Sequence, residues 1–122
     1  MKEFCDKENI AVIAYFPLGH GFAGRLYIAE HYGEFDNFGE KIIKDLAKKY
    51  NKNEGQIILN WEIHQGVIPI PGTNKIDRMK SNLEALTLKM DDEDYEIITK
   101  YYAPLRKKFI VGNKYFGVNI LG

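Results

Sequence analysis

The sequence predicts an α/β fold in which short parallel strands alternate with amphipathic helices. Three observations predict it. Ile10-Ala11-Val12-Ile13-Ala14-Tyr15 and Val67-Ile68-Pro69-Ile70 are short apolar runs rich in β-branched residues, as strands covered on both faces would be. The segments between and after them carry apolar residues at helical spacing. Strands alternating with helical segments argue for a parallel sheet.

In chain order, Met1 to Glu8 reads as the last turns of a helix ending near Asn9. The first strand follows, and Phe16-Pro17-Leu18-Gly19-His20-Gly21 turns after it, with Pro and two Gly as breakers. Phe22 to Phe35 has no clean period and reads as a loop. Asp36 can cap a helix through about Tyr50, with Phe38, Ile42, Ile43, Leu46 and Ala47 on one face and Glu40, Lys41, Lys44, Asp45 and Lys48 on the other. Asn53-Glu54-Gly55-Gln56 is a capping box for the next helix, Glu54 to His64, which is apolar around much of its surface and should be well buried. Gly66 ends it. After the second strand a helix should run to about Leu86. Asp91 with Asp94 starts another from Asp92 to about Tyr102, stopped by Pro104. Lys107 to Gly122 is an aromatic-rich tail without periodicity. The two strands should be adjacent and parallel. They cannot complete a sheet alone, because each needs neighbours for its backbone groups and faces.

Composition limits the function classes. The 122 residues fit one domain, 1–122, with 45% hydrophobic and 28% charged residues. Lys and Arg number 17 and Asp and Glu 17, so no net charge draws the chain to nucleic acid or an acidic membrane. Cys5 is the only cysteine, which rules out an intrachain disulfide, and the expected compartment is reducing. Cys5 reads as a half-buried helix residue rather than a reactive thiol. No apolar run is long enough to span a bilayer and the charged N-terminus is no signal peptide, so a cytoplasmic protein is expected. His20, His31 and His64 lack metal-ligand spacing, and no metal site is expected.

The stretch that carries chemistry runs from Gly66 to Asn82. Its apolar strand meets Pro71-Gly72, where the chain must turn. Asn74 with Asp77 can satisfy the amides of the helix start that follows. A helix start after a strand is a ready anion site, because its amides point outward and its dipole favours negative charge. Lys75 and Arg78 add two cations, and Arg78 and Asn82 share one helix face. On spacing alone, an ordinary strand–turn–helix with solvated basic residues is the simpler reading.

The identities of these residues change that reading. Gly66-Val-Ile-Pro-Ile-Pro-Gly-Thr73, with Arg78 and the run Asn82-Leu-Glu-Ala-Leu86, closely resembles the last barrel strand and following helix of the aldo-keto reductases. Asn9-Ile-Ala-Val-Ile-Ala-Tyr-Phe-Pro-Leu-Gly19 resembles the seventh strand and its loop, and Gly55-Gln-Ile-Ile-Leu-Asn-Trp61 the helix between. The resemblance implies a partial (β/α)8 TIM barrel: the C-terminal two βα units plus a C-terminal helix and tail. It also implies a cofactor, NADP. Tyr15 would stack on the nicotinamide, Leu18 and Gly19 would lie in the pyrophosphate loop, and Gly72, Thr73, Lys75, Arg78 and Asn82 would hold the adenosine 2′-phosphate and adenine. Phe16 stands where the family has Ser, and Ser81 where it has Glu.

The resemblance also implies what these residues do not carry. Such barrels need about 250 residues. The family's catalytic Asp, Tyr, Lys and His lie on earlier strands, so no catalytic residue is assigned here. Three readings follow. The chain is the NADPH-binding part of a carbonyl reductase, completed by an N-terminal barrel segment. Or it is a structural or docking subunit that self-associates or joins other proteins. Or it is a free-standing nucleotide-binding module.

Overall fold

The computed structural model describes residues 2–15, 17–18 and 37–111, with side chains for 2–15, 17–18 and 41–101. The elements are α1 (Lys2–Lys7), β1 (Val12–Tyr15), α2 (Asn37–Lys49), α3 (Glu54–His64), β2 (Val67–Ile70), α4 (Ile76–Glu84) and α5 (Asp92–Val111). Phe16, the loop from Phe22 to Phe35, Asp36, His20, His31 and the tail from Gly112 lie outside the described residues.

β1 and β2 are adjacent and parallel, as expected, with Val12 opposite Val67 and Tyr15 opposite Ile70. Their burial alternates. Val12, Ala14, Val67 and Pro69 are half-buried on the face towards the helices. Ile13, Tyr15, Ile68 and Ile70 are exposed on the other, Ile13 at 61% and Ile68 at 53%. The bare face agrees with the expectation that two such strands need neighbours beyond themselves to cover their faces. Continuous apolar runs do mark strands that need two covers, but among the described residues helices supply only one.

The core sits between helices. Ile43, Leu46 and Ala47 of α2 meet Ile57 of α3, Met90, and Tyr95 and Ile98 of α5, flanked by Ile42, Tyr50, Ile58, Trp61 and Leu88. The apolar face of α2 read from its 3.6-residue period is the face that is buried. α1 and α2 end alike: Asn9 and Asn51 take left-handed φ of 55° and 51°, and the next amide bonds back to Cys5 and Ala47. Cys5 is half-buried on α1, as expected. The capping box of α3 is present in full, with Asn53 Oδ1 accepting from the Gln56 amide and Gln56 Oε1 from the Asn53 amide.

Two expectations at helix ends are corrected. Pro104 does not stop α5, whose backbone stays helical to Val111. Proline's fixed φ is helical, and what it removes is one donor. Asp91 and Asp94 spend their carboxylates on α2 rather than on the start of α5. Lys49 Nζ donates to Asp91 at 3.0 Å and to Asp94 at 2.7 Å, and the Tyr50 hydroxyl donates to Asp94 at 2.5 Å. Burial alone would raise the Asp94 carboxyl, but these donors outweigh it and hold the group below its ordinary value.

Asn60 is the buried polar centre. Its Nδ2 donates to the Ala85 and Leu88 carbonyls at 2.9 and 2.8 Å, and its Oδ1 accepts from the Tyr95 hydroxyl at 2.7 Å. That hydroxyl in turn accepts from the Met90 amide. His64 stacks on Tyr95 with centroids 3.7 Å apart. Asn60→Ala would orphan two buried carbonyls and a hydroxyl, each costing about 1–3 kcal/mol. Urea unfolding should show a loss of about 3 kcal/mol or more; a loss within about 0.5 kcal/mol, the range of an ordinary surface change, would contradict the assignment.

Glu62 gives a pH signature. Its Oε2 is shut from solvent with no hydrogen-bond partner among the described residues, and burial pushes the carboxyl from 4.5 up to about 7. The folded state therefore holds this proton more tightly than the unfolded state. The stabilisation is complete below the unfolded value and is lost as pH rises through about 7. Glu62→Gln, which cannot ionise, should flatten this dependence and gain stability over the unmutated chain at pH 8 relative to pH 4.5, read from urea midpoints. Parallel profiles for the two proteins would contradict it.

Candidate functional site

Both strands point the same way, so Tyr15 and Ile70 end them side by side. The turn after β1 and the connection from Pro71 to Lys75 therefore leave from one end of the sheet. In open or closed α/β sheets this carboxyl end is where ligands bind, because the connections there vary freely over a rigid support.

α4 begins without a side-chain cap. Its N-cap is Lys75, in extended conformation, and no side chain accepts from its first amides. This corrects the expectation that Asn74 and Asp77 satisfy the helix start. Asp77 lies inside the first turn, and the one local bond is from the Lys75 amide to Thr73 Oγ1 at 3.2 Å. Lys75 and Arg78 are exposed, and among the described residues neither side chain has a hydrogen-bond or ion-pair partner. Free amides and two unspent cations at the positive end of a helix make an anion-binding arrangement. Gly72 leaves room beside it: a Cβ there would meet nothing within 4 Å.

The remaining expected site residues are spread along the same end. Tyr15 is 68% exposed at the end of β1. Leu18 lies against the first turn of α3, its Cδ1 3.7 Å from where a Cβ on Gly55 would stand. Gly19 is outside the described residues. Thr73 and Asn82 line an apolar cleft of about 540 Å³ between α3, β2 and α4, with Leu59, Ile63, Val67, Ile68, Pro69, Pro71, Met79, Leu83 and Leu86. Arg78 is not part of that lining. Thr73, Lys75, Arg78 and Asn82 thus share one connection and its helix, while Tyr15 and Leu18 belong to the other.

Sequence reasoning missed how the two connections are tied. Asn53 Nδ2 donates to Ser81 Oγ at 2.7 Å, and Gln56 Nε2 donates to the Ser81 carbonyl at 2.9 Å and to Glu84 Oε2 at 3.0 Å. Gln56 is 4% exposed. The signal was available: Asn53, Gln56 and Asn60 recur at i, i+3 and i+7, a polar line on one face of an otherwise apolar helix. Among the described residues no group of three or more His, Cys, Asp or Glu can hold a metal ion. No helix among them is long and apolar enough to cross a membrane.

The chain is similar to known proteins along most of its length. The model of the aldo/keto reductase family matches residues 1–103. An NADP-dependent D-sorbitol-6-phosphate dehydrogenase of Malus domestica is 36% identical over 110 residues, covering 87% of this chain and 34% of that protein. Aldose reductase C of Dictyostelium discoideum is 30% identical over 106 residues, covering 87% and 29%. Among solved structures, the aldo/keto reductase of Brucella melitensis superposes with a TM-score of 0.61 at 30% identity, over 81% of this chain and 32% of that one. The Bombyx mori aldo-keto reductase in complex with NADP does so with a TM-score of 0.65 at 27% identity, over 81% and 31%. The chain spans about a third of the length of the relatives it matches. With the family model covering residues 1–103 and two parallel strands joined through helices, the chain belongs to the aldo/keto reductase family.

Proposed function

We propose that these residues are the NADPH-binding part of a carbonyl oxidoreductase, the last two strand–helix units of a (β/α)8 barrel. The observation that carries the reading is the uncapped start of α4 with Lys75 and Arg78 unpaired beside it, at the carboxyl end of β2. A phosphate monoester fits that arrangement. Its oxygens accept from amides and cations alike, and the Arg fork is shaped for it. The NADP dependence of the Malus domestica relative and the NADP complex of the Bombyx mori protein support the choice of cofactor.

In this reading the 2′-phosphate is held by Thr73, Lys75, Arg78 and the first amides of α4. Asn82 and Gly72 border the adenosine, Leu18 and Gly19 the pyrophosphate, and Tyr15 offers its exposed ring to the nicotinamide. The cofactor, when bound, supplies the hydride that reduces the carbonyl. The general acid that protonates the product oxygen comes from outside these residues, so the chain does not turn over alone.

Binding should favour NADPH over NADH and weaken with salt. Arg78→Ala should reduce that preference by roughly 10- to 100-fold, since a hydrogen bond to a charged group contributes about 1.5–3 kcal/mol. Tyr15→Ala should weaken both cofactors alike. Arg78 is exposed and unpaired, so its removal should leave stability within about 0.5 kcal/mol. Titration calorimetry on the unmutated chain and both variants checks this; equal affinity for NADPH and NADH would overturn it.

A second reading rests on a different observation. Ile13, Tyr15, Ile68 and Ile70 form an exposed apolar sheet face, and Met79 and Leu83 of α4, with Leu86 just beyond its end, are exposed where they line the cleft. Each strand also keeps an unpaired edge among the described residues. We infer that a second copy, an N-terminal barrel segment or another subunit covers these surfaces. Sedimentation of the purified chain should therefore show species heavier than 14.1 kDa. Leu83→Lys, placing a charge among exposed apolar groups, should move the distribution towards monomer. A well-folded monomer at all concentrations would count against it.

A further inference from the structure

We propose that Asn53 is a positioning residue for the nucleotide site, holding α4, and with it Arg78 and Asn82, at the pitch that phosphate recognition needs. The inference rests on the NADPH reading above and adds a residue that makes no contact with the cofactor in it.

The argument starts from the valence of one side chain. The Asn53 carbonyl oxygen accepts from the Gln56 amide at 2.9 Å, which caps α3. Its Nδ2 donates to Ser81 Oγ at 2.7 Å, 28 residues away in sequence. One amide thus performs two tasks, and each end of it faces the partner it requires. Gln56 repeats the pattern beneath it, accepting from the Asn53 amide and donating to the Ser81 carbonyl and Glu84. Neither amide can flip without setting donor against donor or oxygen against oxygen.

Ser81 lies on α4 three residues after Arg78 and immediately before Asn82, so both are within one turn of the latch. The N-terminal half of α4 has little else to hold it. The helix has no buried residue, and its start has no side-chain cap. Leu18 lies beside the same first turn of α3, its Cδ1 3.7 Å from where a Cβ on Gly55 would stand. The turn after β1 and helix α4 are therefore mounted on one short segment, Asn53–Gln56. That segment sets the spacing between the part of the site that follows β1 and the part that follows β2.

The role predicts an effect on cofactor preference rather than on stability. Asn53→Ser keeps a good N-cap but is too short to reach Ser81. Ser81→Ala removes the acceptor and leaves the cap intact, and Ser81→Thr keeps a hydroxyl at the same place. NADPH and NADH affinities would be measured by calorimetry on the full 122-residue chain, with thermal midpoints alongside. Asn53→Ser and Ser81→Ala should each lower the NADPH-to-NADH preference by about 2- to 10-fold, the worth of one hydrogen bond. The double variant should be no worse than either single one, because both remove the same contact. Ser81→Thr should retain the preference. A fall in thermal midpoint with the preference intact makes the contact merely structural and overturns the positioning role. Additive losses in the double variant overturn it as well. An unmutated chain that does not prefer NADPH overturns the nucleotide reading itself, which separates that failure from failure of the latch alone.

Discussion

The line of amides on α3 is the constraint on which the described fold depends. Asn53, Gln56 and Asn60 face one way at i, i+3 and i+7, and between them they bond Ser81, Glu84, Ala85, Leu88 and Tyr95. Where α4 ends, the amides of Ala85, Leu86 and Thr87 make short turn bonds back to Asn82, Leu83 and Glu84. The Ser81, Ala85 and Leu88 carbonyls accept from side chains of a helix some 25 residues earlier. Hydrophobic burial is non-directional and would allow α4 to slide or rotate on α3. Directed amide bonds do not, because each must meet a particular donor or acceptor. Packing supplies most of the stabilisation here; the amides select which packing.

That division explains why a chain with a bare sheet face still has a core. Ile43, Leu46, Ile57, Tyr95 and Ile98 close on one another without using the sheet. The Lys49–Asp91–Asp94–Tyr50 cluster then fixes the end of α2 to the start of α5. The strands are joined to this body through α3 and are exposed on the far side. An apolar sheet face left in water is the mark of a surface with a partner. The helical body and the sheet face thus differ: one is closed on itself, the other is apolar and exposed.

Much of this was legible in the residues. The span of α3 and its capping box, the apolar face of α2 and the parallel pairing of the strands follow from spacing and turn chemistry alone. The site was located by identity rather than spacing, since a strand, a Pro-Gly turn and a basic helix start are common. What was not legible has physical causes. Asn74 looked like a cap because its side chain has the right chemistry, but the N-cap position falls one residue later, on Lys75, whose side chain caps nothing. Pro104 looked like a stop because one lost hydrogen bond usually costs more than the local helix can bear, and here the helix continues.

The uncapped start of α4 follows from the same logic. A helix that satisfies its own first amides has nothing left to offer an anion, so capping and phosphate recognition compete for the same donors. The chain caps α3 fully, where the latch needs rigidity, and leaves α4 open, where Lys75 and Arg78 stand unpaired. An open helix start is less stable by about 1 kcal/mol than a capped one, and α4 has no buried residue to offset that loss. Support for it must come from its neighbours. The bonds from Asn53 and Gln56 supply that support one turn downstream, far enough to leave the amides of Ile76, Asp77 and Arg78 free. A held helix and an uncapped start are thereby compatible within one set of hydrogen bonds.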